Sequence, residues 1–232
     1  IADGASSSPE AAASQSADLP VDWTEIISTT ADGGYLIGNP RAPVKVVEYA
    51  SLTCPHCREF HLQAMQELSR DYIASGGVAY EFRNFILNGA DLAASMLARC
   101  DGPQDFFPRV DQFFEKQQEW GQQFASITAD DQKRIEAQPE ALQLATYARL
   151  GGLKAFVQPL GIPASRFSQC LSDKTSLDRL MKMREEAVTK YSINGTPSFL
   201  LNGQLLKGTY SWGELRLKLN ASIAEPNGSA SK

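Results

Sequence analysis

Two cysteines three positions apart carry the strongest chemical signal in this sequence. Cys54 and Cys57 enclose a proline and a histidine. Two thiols at this spacing can close into a disulfide and exchange it with the thiols of another molecule. The thiolate is the reactive form, so such a site needs a position that stabilises negative charge, and the free N–H groups at a helix N-terminus provide one. We therefore predict a redox-active pair, with Cys54 at the start of a helix and Cys57 one turn along it.

The two residues between the cysteines suit this position. Pro55 falls in the first helical turn, where its missing N–H costs no hydrogen bond. His56 can place a positive charge or a hydrogen-bond donor beside the reactive sulfur. We therefore assign His56 to the catalytic set and Pro55 to the surface that meets a substrate.

A Cys-x-x-Cys pair also occurs as half of a zinc site or as a tight structural disulfide. A zinc site would need two more ligands at suitable spacing, and the sequence has only His56 and His61 besides, with no second Cys-x-x-Cys pair. His61 lies four residues after Cys57, so a local Cys-Cys-His set stays open as an alternative. We favour a redox pair that works without a metal or a bound cofactor, and we interpret His61 as a solvated helix residue.

Glu48 lies in the strand predicted just before the cysteines. This segment, Val44 to Ala50, is rich in β-branched residues, and a strand of this kind at the centre of a parallel sheet is buried on both faces. A buried carboxylate is costly unless it is protonated or paired. We interpret Glu48 as a buried acid of raised pKa that relays protons to or from Cys57. The alternative is a glutamate near the strand end that reaches solvent or pairs with Arg83.

The elements around these residues follow from hydrophobic periodicity. A β-α-β unit comes first, with parallel strands joined by a right-handed crossover. Residues 90–190 are mostly helical, and a β-hairpin with a turn at Asn202-Gly203 and a last helix follow. The predicted elements are strands at 35–37, 44–50 and 78–86, a helix from 57 to about 72, strands at 198–201 and 204–207, and a helix from 212 to about 223.

One predicted helix of the middle segment is unusually aromatic. Its apolar positions recur at steps of three and four residues and comprise Phe106, Phe107, Val110, Phe113, Phe114 and Trp120. We interpret the phenylalanines as the core of the helical segment. The alternative is that some of them line a hydrophobic groove for a substrate.

Thr196-Pro197 stands immediately before the strand that opens the hairpin. Only about one X–Pro bond in twenty is cis in folded proteins, so the local sequence by itself favours a trans turn. The position after a β-α-β unit with a Cys-x-x-Cys pair changes that expectation. A cis bond would leave the backbone of Thr196 facing the cysteines, free to pair with an extended substrate as an added strand.

Composition limits the classes of function. The chain has 232 residues, of which 43% are hydrophobic, which is ample for a packed core. A net charge of −5 disfavours nucleic acid and anionic membranes as partners, and no apolar run approaches the roughly 18 residues of a membrane helix. Residues 1–30 and 225–232 are predicted to be disordered. The chain begins at Ile1 rather than Met, which favours a mature form whose signal segment has been removed.

Together these motifs make the sequence resemble the DsbA-like branch of the thioredoxin superfamily. The resemblance covers roughly residues 33–223. It is carried by Val46-Val47-Glu48-Tyr49, Cys54-Pro55-His56-Cys57, the helical segment, Gly195-Thr196-Pro197-Ser198-Phe199 and Asn202-Gly203.

This resemblance implies an α/β architecture, the thioredoxin fold, in which a central mixed sheet is flanked by helices and an all-α domain is inserted. Residues 33–89 and 191–224 would form the thioredoxin-like domain and residues 90–190 the insertion. Cys54 would be the nucleophile, Cys57 its buried partner, and Thr196 with Pro197 the cis-proline loop. Some relatives carry a further disulfide in the insertion, so a bridge between Cys100 and Cys170 is expected, with two separate buried thiols as the alternative.

The same resemblance implies a function. The pair would introduce disulfides into reduced or misoxidised exported proteins, in the periplasm or another exported location, and a membrane quinone reductase of the DsbB type would reoxidise it. A disulfide isomerase or reductase with the same site is one alternative, and a redox-inactive peptide-binding chaperone is another. Isomerases of this superfamily usually add a dimerisation module, for which the segment before the first strand is too short and too polar. We therefore expect a monomer.

Overall fold

A computed structural model of the chain describes residues 21–224. Its centre is a six-stranded sheet in the order β1-β2-β4-β3-β5-β6, in which β3 and β4 are parallel and every other neighbouring pair is antiparallel. The strands are β1 (Ile27–Thr29), β2 (Tyr35–Gly38), β3 (Val44–Ala50), β4 (Val78–Asn84), β5 (Ser198–Leu201) and β6 (Gln204–Leu205).

Helices cover the sheet and fill the segment between β4 and β5. The α-helices are α1 (Pro55–Glu67), α2 (Gly89–Ala98), α3 (Phe106–Glu115), α4 (Gln117–Ala125), α5 (Ala129–Glu136), α6 (Glu140–Leu150), α7 (Leu153–Val157), α8 (Ala164–Leu171), α9 (Lys174–Tyr191) and α10 (Trp212–Ala224). Short 3-10 turns lie at Trp23–Glu25 and Gln158–Leu160, and a π-helical turn, Leu68–Ile73, extends α1.

The predicted mixed sheet of the thioredoxin fold is confirmed. Strand β3 has the predicted bounds and pairs with β4 in parallel, so that Val46 lies opposite Tyr80 and Glu48 opposite Phe82. Both strands lie in the middle of the sheet with neighbours on each side, which explains why almost every residue in them is buried. Helix α1 makes the crossover between them, so the end of β3 leads directly to the start of this helix.

The predicted hairpin at Asn202-Gly203 is also confirmed. Leu200 pairs with Leu205 and Leu201 with Gln204, so the two turn residues form a two-residue loop. Their φ angles are 49° and 81°, the left-handed values that this tight turn requires and that Asn and Gly tolerate best. The returning strand ends at Leu205, two residues before the predicted end.

Helices α2 to α9 occupy the interval predicted for the helical insertion. Phe106, Phe107, Phe113 and Phe114 are all buried, so their interpretation as core is confirmed and the groove alternative is wrong. The prediction that Trp120 shares their helix is also wrong, because α3 ends at Glu115 and a new helix begins after Lys116. Trp120 still packs edge-on against Phe113, since the two helices contact each other.

The disorder predicted for residues 1–30 is only partly within the residues that the structure describes. Disorder is wrong for the part from Trp23 to Thr29, where a 3-10 turn leads into β1. Ile27 pairs with Ile37 of β2 and packs against the main core, as does Trp23, so a short segment gains both strand hydrogen bonds and buried apolar surface. Residues 1–20 and the predicted tail at 225–232 lie outside the described residues.

A disulfide joins Cys100 to Cys170, as predicted, and the alternative of two free thiols is wrong. Cys100 follows α2 and Cys170 lies in α8, with 5.5 Å between their Cα atoms and 70 positions between them in sequence. The bond therefore closes most of the helical segment into one loop. Within residues 21–224, no helix is long and apolar enough to cross a membrane.

Candidate active site

Cys54 occupies the N-cap position of α1, at the carboxyl end of β3. Its backbone is extended, with φ −80° and ψ 120°, and its carbonyl oxygen accepts the first helical hydrogen bond from the N–H of Arg58. Pro55 is the first helical residue, as its fixed φ and missing donor favour. The chain thus turns from strand to helix at the cysteine, and the free N–H groups of the first helical turn face its side chain.

The two thiols, both free in this structure, differ in access and in acidity. Cys54 is 6% exposed and Cys57 is fully buried. Hydrogen bonding by the Cys57 thiol, with smaller contributions from the nearby Thr196 side chain and from the backbone N–H groups of Cys57 and His56, lowers the pKa of Cys54 to about 5, against the opposing effect of burial. Burial, with the hydrogen bond to Cys54, raises the pKa of Cys57 well above its ordinary value. Cys54 is therefore the thiolate at neutral pH and Cys57 the thiol.

His56 contributes to this site through its backbone. Its backbone N–H contributes to the lowered pKa of Cys54, whereas its imidazole is largely exposed and lies 3.9 Å from the carboxylate of Glu59. Among the described residues no hydrogen bond joins the His56 ring to the Cys54 sulfur, so the charge or donor predicted from its side chain stays a prediction.

The Thr196-Pro197 peptide bond is cis and lies against the active cysteine. The Cys54 thiol donates to the carbonyl oxygen of Thr196 across 3.3 Å. The Thr196 hydroxyl is buried and has no hydrogen-bond partner among the described residues. When Cys54 loses its proton it becomes an acceptor, so this hydroxyl can donate to the thiolate and stabilise it.

Replacing Thr196 with valine removes this donor while keeping the shape of the side chain. A hydrogen bond to a charged group contributes about 1.5–3 kcal/mol, so we expect the pKa of Cys54 to rise by roughly one to two units. The absorbance of the thiolate near 240 nm, followed against pH in the reduced protein, measures this directly. Thr189→Val on the exposed face of α9 is the matched control and should leave the titration unchanged. A Thr196→Val curve that overlays the wild-type curve would contradict the assignment.

Glu48 is buried at the centre of the sheet, as predicted. Its Oε2 accepts a hydrogen bond from the hydroxyl of Tyr80, while Oε1 has no partner among the described residues. Arg83 lies elsewhere, bound to Glu81 and Asp32, so the alternative of a pair between Glu48 and Arg83 is wrong. Burial raises the pKa of Glu48 to about 8, despite the opposing hydrogen bond from Tyr80.

Glu48 also interacts electrostatically with both active cysteines. It is therefore a protonated acid at neutral pH, next to a reactive thiolate. Tyr80, which orients it, was not predicted from the sequence. A tyrosine inside an apolar strand could have indicated a buried polar partner on a neighbouring strand, because a buried hydroxyl needs a hydrogen-bond partner.

The prediction that His61 is a solvated helix residue is wrong. This residue is 6% exposed rather than solvated, and its Nε2 lies 2.8 Å from the carboxylate of Asp111. The imidazole also packs against the ring of Phe114, because α3 covers this face of α1. In the part of the chain that the structure describes, Cys54, Cys57 and His61 do not come together as a set of metal ligands. His61 thus joins α1 to the helical segment.

A cavity of about 360 Å³ opens beside the cis-proline loop. Its walls include the backbone from Gly195 to Pro197 and the exposed ring of Tyr210. The site therefore combines a stabilised thiolate, a buried thiol, a protonated carboxyl group and a neighbouring surface that an extended chain can reach.

Comparisons with known proteins agree with this geometry. Residues 30–221 match the Thioredoxin_4 family model, which is described as thioredoxin. A Rickettsia felis protein whose provisional name is protein-disulfide oxidoreductase is 30% identical over 195 residues, which are 84% of this chain and 62% of that relative. The chain thus spans about three fifths of the length of the curated relatives that it matches first.

Solved structures show the same likeness. A protein-disulfide isomerase from Novosphingobium aromaticivorans is 31% identical with a TM-score of 0.78, over 84% of this chain and 99% of that one. Alpha-DsbA1 of Wolbachia pipientis, 23% identical with a TM-score of 0.66 over 85% of this chain and 94% of that one, shares the fold. On the family match and this likeness, the chain belongs to the DsbA-like branch of the thioredoxin superfamily, a group of thiol-disulfide oxidoreductases.

Proposed function

We propose that this protein introduces disulfide bonds into exported proteins by dithiol-disulfide exchange through Cys54 and Cys57. The observation that carries the proposal is the stabilised thiolate of Cys54. With a pKa of about 5 instead of 9, Cys54 is almost entirely thiolate at pH 7, which stabilises the reduced protein by roughly 3 kcal/mol. For a two-electron couple this corresponds to roughly 60 mV. A protein whose reduced form is stabilised in this way tends to oxidise its substrates.

The first step is attack of a substrate thiolate on the more accessible sulfur, Cys54, of the oxidised pair. A mixed disulfide forms between the substrate and Cys54, and the bond between Cys54 and Cys57 breaks. Cys57 leaves as a thiolate that burial destabilises, so it must gain a proton. Glu48, which is protonated at neutral pH, is the nearby acid that we assign to supply it.

The second step releases the oxidised substrate. Another thiolate of the substrate attacks the substrate sulfur of the mixed disulfide and displaces Cys54. Cys54 is a good leaving group because its thiolate is stabilised. In balance, two substrate thiols lose two electrons and two protons and form a disulfide. The Cys54-Cys57 pair takes up both electrons, one proton restores the one that Glu48 gave to Cys57, and the other goes to solvent because Cys54 stays a thiolate. The cycle uses no bound cofactor or metal.

The pair must then be reoxidised by a partner. We assign this role to a quinone-linked membrane protein of the DsbB type, which would take up the two electrons. A partner of this kind works in an oxidising compartment, the periplasm or its equivalent. The Cys100-Cys170 disulfide would also persist in such a compartment.

The buried acid makes stability depend on pH. Because the pKa of Glu48 is about 8 in the folded chain and 4.5 in an ordinary glutamate, the folded state holds this proton more tightly. Its contribution to the free energy of unfolding is complete below pH 4.5 and is lost as the pH rises through about 8. In the oxidised protein, where Cys54 does not titrate, we expect the free energy of unfolding of the wild type to fall by roughly 3–5 kcal/mol over this pH range because of Glu48. The Glu48→Gln variant should lack this decline. Urea unfolding between pH 4.5 and pH 9 measures it.

An exposed residue provides the control for this variant. Glu115→Gln at the end of α3 should keep the wild-type dependence on pH. If Glu48→Gln shows the same decline as the wild type, Glu48 does not hold the proton. If the decline disappears but mixed disulfides with substrate form at the wild-type rate, Glu48 is a buried acid without the role of proton donor.

A disulfide isomerase is the second candidate, because the similar structure from Novosphingobium aromaticivorans carries that name. An isomerase acts in its reduced form and rearranges wrong disulfides. The third candidate, a redox-inactive peptide-binding chaperone, conflicts with a pair whose two thiols are so strongly differentiated.

Two measurements separate these candidates. The reduction potential of the Cys54-Cys57 pair, from equilibration with glutathione, should lie well above the about −270 mV of thioredoxin. The oxidised protein should also convert a reduced model protein to its disulfide form faster than the reduced protein repairs a scrambled one. A thioredoxin-like potential with poor oxidation would overturn the proposal, and faster repair of scrambled disulfides would replace it with the isomerase.

A further inference from the structure

Gln117, the first residue of α4, lies buried beside the turn that leads into Cys54, although its neighbour Gln118 is exposed. Its Nε2 donates to the carbonyl oxygens of Leu52 and Cys54, each at 2.9 Å. A primary amide group has two N–H bonds, and this side chain directs both to one turn. Because both partners are carbonyl oxygens, the hydrogen-bond pattern also determines which end of the amide faces them.

The same turn is held from a second direction. Asp91, a buried residue of α2, accepts a hydrogen bond from the N–H of Leu52 at 2.9 Å. Both peptide groups of Leu52 are therefore bound by side chains from the helical segment. A further bond joins Nε of Arg58 in α1 to the carbonyl oxygen of Phe114 in α3 at 2.9 Å. Helices α2 and α4 therefore bind the strand-to-helix turn that carries Cys54, and α3 binds the helix that follows it.

The orientation of this turn controls the surroundings of the Cys54 sulfur. The carbonyl group bound by Gln117 belongs to the peptide that precedes Pro55, where α1 begins. A rotation of that peptide would turn the sulfur away from the N–H groups of His56 and Cys57. It would also leave the carbonyl oxygen of Cys54 without the donor that Gln117 supplies.

We propose that Gln117 is a positioning residue for Cys54, through which the helical segment sets the reactivity of the thiolate. The side chain does not touch the reacting sulfur. It holds the Leu52 and Cys54 carbonyls so that the first turn of α1 presents its free N–H groups to the sulfur. This inference deepens the proposed function, since it concerns the reactivity of the same cysteine.

The test compares variants in the reduced, full-length chain. Gln117→Met keeps the size of the side chain and removes both donors, and Gln117→Glu replaces the donors with a charge that repels the carbonyls. Alkylation of Cys54 by iodoacetamide against pH gives its pKa, because the buried Cys57 reacts far more slowly. We expect upward shifts of about one unit for the methionine variant and more for the glutamate variant, with no shift for Gln118→Met.

The proposal is overturned if the Gln117→Met and Gln118→Met curves both overlay the wild-type curve. A loss of stability with an unchanged curve would also overturn it, because Gln117 would then be only structural. If the methionine variant does not fold, Gln117→Asn, whose shorter side chain reaches one carbonyl at most, must give an intermediate shift. The titration needs no substrate or redox partner, so it can succeed even when the oxidation assay rejects the proposed function.

Discussion

Replacing Cys54 with serine is expected to reduce the oxidation of a model dithiol protein to the rate of the uncatalysed reaction. A serine hydroxyl cannot form the disulfide that accepts two electrons from the substrate, and no other free thiol in the described chain has a stabilised thiolate. Recovery of activity by the reduced model protein measures the rate. The loss should be complete, because Cys57 is fully buried and cannot receive the attacking substrate in place of Cys54.

The matched control is Cys57→Ser. This variant also lacks the internal disulfide, but it keeps the accessible, acidic sulfur of Cys54. With a model protein whose disulfide is already formed, its Cys54 thiolate should attack that disulfide, release one of its sulfurs as a thiol and remain joined to the other as a mixed disulfide, visible on a non-reducing gel, whereas Cys54→Ser should not. Activity in Cys54→Ser, or trapping through Cys57 alone, would show that the roles of the two cysteines are assigned the wrong way round.

Removing the Cys100-Cys170 disulfide is expected to have the largest effect on stability. The bond closes a loop of 70 positions, and restricting a loop of that length in the unfolded chain contributes about 4 kcal/mol. For a domain of this size, we expect the Cys100→Ala/Cys170→Ala variant to melt about 10 °C below the wild type. Urea unfolding, with the Cys54-Cys57 pair held oxidised in both proteins, measures the free energy directly.

The single variants Cys100→Ala and Cys170→Ala provide the internal check. Each breaks the same bond, so each should lose nearly as much stability as the double variant, and the effects should not add. Losses below about 1 kcal/mol in all three would mean that the helical segment gains little from the cross-link. Additive losses would mean that the cavities left by the side chains dominate.

Much of the framework of the site could be predicted from local pattern. The β-branched run from Val44 to Ala50 forms β3 with the predicted bounds, because a central strand is apolar on both faces. The turn at Asn202-Gly203 follows from residues that tolerate left-handed backbone angles. Cys54 stands at a helix start because Pro55 favours the first helical position. Each of these predictions depends on residues that are adjacent in the chain.

The predictions that were wrong concern contacts between distant segments. His61 has the spacing of an exposed helix residue, and it is buried only because α3 lies over that face of α1. The segment around Ile27 was predicted to be disordered because it is polar. It forms a strand because it pairs with the edge of β2. Gln117 lies in a polar stretch, and nothing in the local sequence indicates that its side chain is buried. Its role depends on where α4 begins relative to the turn after β3.

By itself, the sequence predicted the redox pair, and it determined the order of the elements around it and the family to which the chain belongs. Only the tertiary structure decided how differently the two thiols behave. The pKa of Cys54 falls because the Cys57 thiol, the Thr196 side chain and the first turn of α1 surround one sulfur with groups that can donate to its thiolate, and the pKa of Cys57 rises because the core buries it. The burial of both thiols and the contact between Cys54 and Thr196, 142 positions apart, are not visible in the local sequence. That contact exists only after the sheet has brought β3 and β5 side by side.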